Sequence, residues 1–220
     1  MKIFMFMAAV ALTAFVASAS GDIRFKPVAV SDPMYEWMQY DENDMSCKLK
    51  KDALVMENKS EKLMAYTFTE IPVNVAEEDF VVSLAMLPSE ISDDKPVGVI
   101  FNYRNEKNYD MITLGEKNFY VSECIGGEKA LIVKGLYKIL PFGSDMLECE
   151  LGVKGDKKTV VLTLKKNGGK LNILVNGLPM CSVKNKKLEY PTFGFIVGNK
   201  GKLVVYGLEY GRVIADETEE

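Results

Sequence analysis

Residues 159–183 read TVVLTLKKNGGKLNILVNGLPMCSV and carry the clearest structural signal in the sequence. Apolar residues alternate here with a period of two, which is typical of half-buried β-strands rather than helices. The turn signals Asn167-Gly168-Gly169 and Asn176-Gly177 divide the stretch into three runs. Asn-Gly supplies the positive φ angles that a type I′ hairpin requires. We therefore predict a three-stranded meander whose inward side chains are Val160, Leu162, Leu164, Leu171, Ile173 and Val175.

The same period continues on both sides of this meander. It recurs over 80–87, over 97–104 and near Leu203 and Val205, and polar turns at 93–96, 104–108 and 115–118 separate the runs. In the second run, one face is predicted to hold Val97, Val99, Phe101 and Tyr103. Residues 135–156 are irregular and are predicted to form a long loop.

About a dozen short strands and no amphipathic helix can be counted after residue 20. This pattern predicts an all-β fold, a two-sheet antiparallel sandwich, as a single domain over residues 20–214. Strand 80–87 is apolar on both faces, which is typical of a central strand.

Composition excludes several functional classes. The chain has 220 residues, 48% of them apolar, and no histidine. Ser-His-Asp catalysis, Cys-His catalysis and histidine-ligated zinc are therefore excluded. With 27 basic and 31 acidic residues, the chain lacks the basic patch that nucleic-acid binding requires, so no nucleic-acid partner is predicted.

The N-terminus predicts export. Lys2 precedes an apolar run over 3–16, and Ala17-Ser18-Ala19 matches a small-x-small cleavage site. The run is shorter than the roughly 20 apolar residues of a membrane span, and no transmembrane segment follows it. Residues 1–19 are therefore predicted to be a cleaved signal peptide, the mature protein periplasmic or extracellular, and residues 215–220 an acidic disordered tail. The oligomeric state is left open.

Four cysteines occur in a chain bound for an oxidising compartment: Cys47, Cys124, Cys149 and Cys181. Two disulfides are possible, with three alternative pairings. Buried free thiols are the alternative, because an unpaired cysteine packs like a small apolar residue.

Three stretches together carry a family resemblance: VGVIFNYRNEKNYDMITLGEKNFYVSE (97–123), DKKTVVLTLKKNGGKLNILVNGLPMCSV (156–183) and FGFIVGNKGKLVVYGLEY (193–210). They resemble the concanavalin A-like, laminin G-like jelly-roll domains of bacterial secreted proteins. The pattern is most similar to the keto-disaccharide hydrolase-type domains of unknown function. The resemblance implies a jelly-roll sandwich, with residues 37–78 as its opening edge strands, and a role connected with carbohydrate.

The catalytic carboxylate signature of glycosidases with this fold is incomplete here. Glu148 and Glu150 have the i, i+2 spacing that puts two side chains on one face of a strand, but Asp145 lies on the wrong side of them. They also fall in the predicted loop. No catalytic residue is therefore predicted, and the sequence favours a binding module over an enzyme.

The predicted ligand-binding residues lie around the 104–108 turn. Aromatic rings stack on the apolar face of a sugar, while amide and guanidinium groups donate hydrogen bonds to its hydroxyls. The alternative is structural, with the asparagine bonding its own turn and the tyrosines forming cross-strand pairs. The candidates are Tyr103, Arg104, Asn108, Tyr109 and Tyr120.

Two other features have a structural and a functional interpretation. Trp37, the single tryptophan, either stacks on a ligand or closes one end of the core. The acidic loops at 41–44 and 93–94 allow a structural Ca²⁺, but they lack the glycine of an EF-hand loop. No metal or other cofactor is predicted. The predicted function is an exported, non-catalytic module that binds a glycan or polysaccharide fragment; a carbohydrate-active hydrolase and an interaction domain without a small ligand are the alternatives.

Overall fold

The computed structural model describes residues 22–32, 35–51, 53–61, 64–89, 91–92, 95–115, 118–136 and 160–214. Six sequence-based predictions lie wholly or largely outside this part of the chain: the signal peptide, the acidic loop at 93–94, the long loop from residue 137 to 156, the Glu148–Glu150 pair, the partner choice of Cys149 and the acidic tail.

The described residues form fifteen strands and no helix. The strands are β1 (Asp22–Ala29), β2 (Tyr40–Asp41), β3 (Met45–Lys50), β4 (Ala53–Asn58), β5 (Ala65–Glu70), β6 (Phe80–Pro88), β7 (Val97–Asn105), β8 (Asn108–Leu114), β9 (Asn118–Ile125), β10 (Glu128–Leu136), β11 (Val160–Asn167), β12 (Lys170–Val175), β13 (Leu178–Lys184), β14 (Thr192–Val197) and β15 (Lys202–Ile214). The described residues contain no helix that is long and apolar enough to cross a bilayer.

The strands form two antiparallel sheets. The nine-stranded sheet has the order β13-β12-β11-β6-β15-β4-β3-β2, and β1 pairs with the distal part of β15. The six-stranded sheet has the order β10-β9-β8-β7-β14-β5. The predicted two-sheet sandwich is confirmed, and β6 is a central strand between β11 and β15, as its apolar residues on both faces indicated.

The predicted meander is also confirmed. β11 pairs with β12 and β12 with β13, and the six predicted inward side chains are all at most 2% exposed. Asn176 and Gly177 have φ angles of 52° and 76°, which are those of a type I′ turn. The β11–β12 turn has the same character, with positive φ at Gly168 and Gly169.

The core lies between the inner faces of the two sheets. Trp37 belongs to it, because it is 7% exposed and its ring centroid lies 5.8 Å from that of Phe195. The tryptophan is therefore a packing residue. The predicted start of the long loop at residue 135 is too early. Gly135 and Leu136 still belong to β10, where they pair with Phe119 and Asn118.

The three described cysteines are free thiols. Cys47 and Cys124 are buried and Cys181 is partly buried. Burial raises the pKa of the Cys47 thiol to about 11, so this group stays protonated and packs as an apolar residue.

Candidate functional site

The outer face of the six-stranded sheet is concave. β10 and β5 are its opposite edges, yet Nζ of Lys129 on β10 lies 4.0 Å from Sδ of Met64, which directly precedes β5. Two side chains can meet from opposite edges only if the sheet curves and twists so that these corners approach each other. The concave face is the candidate site.

Four aromatic rings form a cluster on this face: Tyr66 and Phe68 from β5, Tyr103 from β7 and Tyr109 from β8. The Phe68 and Tyr103 centroids are 4.3 Å apart, and Tyr103 lies 5.8 Å from Tyr66 and 6.3 Å from Tyr109. All four side chains are half-buried. We call these four residues the ring cluster.

Gly194 allows the ring cluster to close. It lies on β14 between Phe68 of β5 and Ile100 of β7. Two strands with one between them are about 10 Å apart, so rings from β5 and β7 meet only by leaning over the middle strand. A Cβ on Gly194 would stand 1.9 Å from the Thr67 carbonyl oxygen and 2.7 Å from the Phe68 Cβ. Glycine therefore leaves space for the close approach of β5 to β14 and for the ring contact above it.

A bulge turns Tyr103 toward the concave face. Phe101 pairs with Asp110, and the next pair is Asn105 with Asn108, so three β7 residues face the single residue Tyr109. Asn102 has a φ of 51°, which breaks the alternation. The prediction that Tyr103 shares one face with Val97, Val99 and Phe101 is therefore wrong, because those three are core residues whereas Tyr103 joins the outer rings.

Side-chain hydrogen bonds fix the bulge. Thr192 Oγ1 accepts a bond from the Tyr103 amide at 2.6 Å and donates one to the Tyr103 carbonyl at 3.1 Å. Asn102 Nδ2 donates to Asp110 Oδ2 at 2.8 Å, while its Oδ1 accepts from the amides of Glu189 and Tyr190. The backbone that carries the Tyr103 ring thus has partners for its polar groups in place of regular sheet pairing.

The phenol groups of the ring cluster are partly desolvated. Burial, with a further contribution from Cys124, raises the pKa of Tyr109 to about 12. Burial and a hydrogen bond with Tyr66 raise the pKa of Tyr103 above its ordinary value. These hydroxyls are therefore neutral at physiological pH and act as both hydrogen-bond donors and acceptors.

The ring cluster offers a mixed surface. The facing sides of Phe68 and Tyr103 are used by each other, so they are closed to a ligand. The exposed parts of the four half-buried side chains, which include phenol groups, are what a ligand can contact. A sugar matches this combination, because it has an apolar ring face and a rim of hydroxyls.

The other predicted site residues are placed separately. Tyr120 is on the same face but pairs with Thr113, four residues along β8 from Tyr109, and Lys134 Nζ lies 5.5 Å over its ring. Asn108 is used within its hairpin, donating to Asn105 Oδ1 and accepting from the Gly126 amide. Arg104 is exposed and directly follows Tyr103 in the sequence. Of the predicted residues, the structure thus brings Tyr103 and Tyr109 together.

A buried ion cluster lies between the sheets close to the bulge. Lys186 Nζ is 2.6 Å from Asp110 Oδ1 and 2.6 Å from Glu123 Oε1, two carboxylates that face each other across β8 and β9. Burial raises the pKa of Asp110 despite hydrogen bonds from Lys186 and Asn102. Burial would lower the pKa of Lys186, but its two carboxylate partners outweigh this and raise it.

This ion cluster has a structural role. The Asp110 side chain is 2% exposed, so a substrate cannot reach it. What the cluster does is tie Lys186, and with it the 185–191 loop, to the six-stranded sheet.

A shallow polar cleft of about 760 Å³ lies on the other side of that loop, between the 74–79 turn and the β11–β12 turn. Two of its charged groups have internal partners: Lys166 Nζ donates to the carbonyls of Val75 and Ala76, and Asp79 accepts from the Gly168 amide. The cleft therefore offers fewer free polar groups than its composition indicates.

The acidic 41–44 loop does not gather into a metal site. Asp41 pairs with Lys48 at 2.5 Å, and in the described part of the chain no three acidic or cysteine side chains converge as ligands.

Tyr66 and Phe68 are the site residues that the sequence did not indicate. They alternate with Ala65, Thr67 and Thr69, which face the other way. That alternation indicates that the two aromatic side chains share one face of β5. It does not indicate which other strand they contact.

Comparison with known proteins supports the fold. No protein-family model matches the chain, and no curated protein matches its sequence. The carbohydrate-binding module CBM66 from Bacillus subtilis is 10% identical, with 79% of this chain and 94% of the module covered and a TM-score of 0.54. A Bacillus subtilis protein of unknown function with a galectin-like fold is 13% identical, with 89% and 98% covered and a TM-score of 0.58.

The binding domain of botulinum neurotoxin DC is also similar in structure, at 12% identity and a TM-score of 0.50. That match covers 84% of this chain and 44% of the toxin chain. At such identities the likeness concerns the fold alone. The chain is a two-sheet jelly-roll β-sandwich, in agreement with the sequence-based prediction.

Proposed function

We propose that the protein is an exported, non-catalytic module that binds a glycan on the concave face of its six-stranded sheet. The observation that carries this proposal is the ring cluster, in which Tyr66, Phe68, Tyr103 and Tyr109 converge from three strands and remain half-exposed. Three of the four residues carry a phenol hydroxyl, a hydrogen-bonding group that a face used for apolar packing alone does not need.

The surroundings of the rings support a binding role. The bulge that aims Tyr103 outward is held by Thr192 and Asn102, so the ring is positioned before a ligand arrives. Pre-organisation of this kind lowers the entropy lost on binding. The carbohydrate-binding module named above has a fold of the same type, which agrees with the proposal at the level of architecture.

Glycoside hydrolysis needs a pair of free carboxylates, and the closure of the Asp110–Glu123 pair by Lys186 therefore favours binding over hydrolysis. A carbohydrate-active hydrolase of the keto-disaccharide type is the alternative, and in that case its carboxylates would come from Glu148 and Glu150. Export rests on the sequence of residues 1–19.

The test is a glycan array on the mature chain, residues 20–220, followed by calorimetry with the best ligand. Tyr103→Ala and Tyr109→Ala should each weaken binding by about 1–2 kcal/mol, from lost ring contact. Tyr120→Ala is the matched control, since this ring lies on the same face but outside the ring cluster, and it should bind like the wild type.

Two results would overturn the proposal. One is wild-type affinity in both ring-cluster variants, provided that their thermal unfolding shows intact folds. The other is release of reducing sugar from the bound glycan that is lost in Glu148→Gln or Glu150→Gln, because this would establish the hydrolase.

A further inference from the structure

Lys129 lies in the same row of the six-stranded sheet as Tyr109 of the ring cluster. It pairs with Cys124 of β9, and Cys124 pairs in turn with Tyr109 of β8, so the three residues lie side by side on the concave face. From there the Lys129 side chain extends toward the opposite edge, where Nζ comes within 4.0 Å of Met64 Sδ. The side chain is exposed and reaches across the face that carries the ring cluster.

The partner of this ammonium is a poor one. A lysine ammonium has three donors, whereas a thioether sulfur is a weak acceptor without charge. Elsewhere in the described chain, lysines at similar surface positions reach carboxylates, as in the Lys48–Asp41 and Lys200–Glu61 pairs. Within the described residues, no carboxylate lies within 4.0 Å of Lys129 Nζ.

The acidic residues nearest in the sheet do not provide Lys129 with a carboxylate partner. Strand alternation sends Glu128 to the face opposite Lys129, and Glu123 is turned inward to Lys186. Glu106 is in the exposed turn between β7 and β8, where its negative charge contributes to the raised pKa of Tyr103. Glu70 lies on β5, at the far edge of the sheet. The ammonium thus has no carboxylate partner among the described residues, and its side chain lies on the face that carries the half-buried rings.

Lys134 provides an internal comparison. It lies on the same strand and the same face, but its ammonium is 5.5 Å over the Tyr120 ring and so already has a cation–π partner. Of these two lysines on β10, Lys129 is the one in the same row as a ring-cluster residue, Tyr109.

We infer that the glycan bound by the ring cluster carries an anionic group, a carboxylate or a sulfate, and that Lys129 receives this group. The inference rests on the proposed function. The rings contact the apolar face of the sugar, and the ammonium forms a charge-assisted hydrogen bond with the anionic substituent. Such bonds are roughly twice as strong as neutral ones.

The test compares three oligosaccharides of equal length, ending in glucose, in glucuronic acid and in 6-sulfated glucose. The mature wild-type protein should bind at least one of the two anionic probes about tenfold more tightly than the neutral probe at low ionic strength. The preference should decrease with added salt. The glucuronate and sulfate probes show which anion is preferred.

Lys129→Gln should remove the preference and keep the affinity for the neutral probe, whereas the control Lys134→Gln should keep both. The inference is overturned if the neutral probe binds the wild type as well as the anionic ones, or if Lys129→Gln keeps the preference. Either result would leave glycan binding at the ring cluster intact. Failure of all three probes, together with a blank glycan array, would instead remove the proposed function itself.

Discussion

The Thr192 hydroxyl forms hydrogen bonds with both backbone polar groups of Tyr103: it accepts one from the amide at 2.6 Å and donates one to the carbonyl at 3.1 Å. Thr192 is 4% exposed, so water cannot easily replace it. We expect Thr192→Val, which keeps the shape but lacks the hydroxyl, to lower the free energy of unfolding by about 1–3 kcal/mol and to weaken glycan binding. Thr192→Ser should keep both near the wild type. Denaturant unfolding and calorimetry measure the two effects, and equal behaviour of Val and Ser would contradict this role.

Gly194→Ala should destabilise the protein strongly. The added Cβ would stand 1.9 Å from a backbone oxygen of the neighbouring strand, so the strands themselves must move apart. Overpacking of this kind costs about 1–3 kcal/mol or more. Gly207→Ala is the control, since a Cβ there meets no atom within 4 Å and should be neutral or slightly stabilising. Thermal unfolding compares the two, and similar melting temperatures would contradict the close approach of β5 to β14.

Lys186→Met should leave Asp110 and Glu123 facing each other without their cation. Removing one partner of a buried ion pair costs about 3–5 kcal/mol. We expect a loss of that size in the free energy of unfolding near neutral pH, measured by urea denaturation. Lys187→Met, a change at the exposed neighbouring lysine, should have little effect and serves as the control.

The loss in Lys186→Met should depend on pH. Burial already raises the pKa of Asp110, and without the Lys186 hydrogen bond that pKa must rise further. A carboxyl group with a higher pKa in the folded than in the unfolded state adds stability as it is protonated, so stability returns as the pH falls through the folded-state pKa towards about 4. The difference from the wild type should therefore shrink between about pH 7 and about pH 5. A difference that grows over this range would contradict the assignment.

The β12–β13 turn requires a left-handed residue. Gly177 has a φ of 76°, which a β-branched residue adopts only at a cost of roughly 1–2 kcal/mol. We expect Gly177→Val to lower stability by about that amount and Gly177→Asn to be better tolerated, because asparagine visits this region more readily. Chemical denaturation of both variants tests this, and equal losses would show that bulk rather than φ is responsible.

The fold could be predicted from the sequence because its signals are local. Alternation fixes which residues face inward, and Asn-Gly turns fix where a meander reverses, so both the register over 160–175 and the type I′ turn were within reach. The central position of β6 also followed, since a strand apolar on both faces needs cover on both sides.

The candidate site depends on a bulge and on contacts between distant strands, which the alternation of apolar and polar residues does not encode. The bulge after Phe101 turns Tyr103 over, and its causes lie far away in the chain, at Thr192 and in the 185–191 loop. Tyr66 and Phe68 meet Tyr103 only because a glycine on an intervening strand lets the rings close. Non-local partners of this kind cannot be inferred from a pattern of period two.

The order of the strands in the nine-stranded sheet has a consequence for how the chain folds. β15 pairs with β1, β4 and β6, so it joins strands from both halves of the sheet, yet it follows every other described strand in the chain. Until β15 is synthesised, β4 and β6 have no common neighbour and the first strand has no partner. Contacts between such distant segments carry a large loop-closure cost, which places folding in the range of about milliseconds to seconds. The nascent chain can therefore form only the separate parts β6-β11-β12-β13 and β2-β3-β4 of its larger sheet, and it cannot join them until β15 has been synthesised.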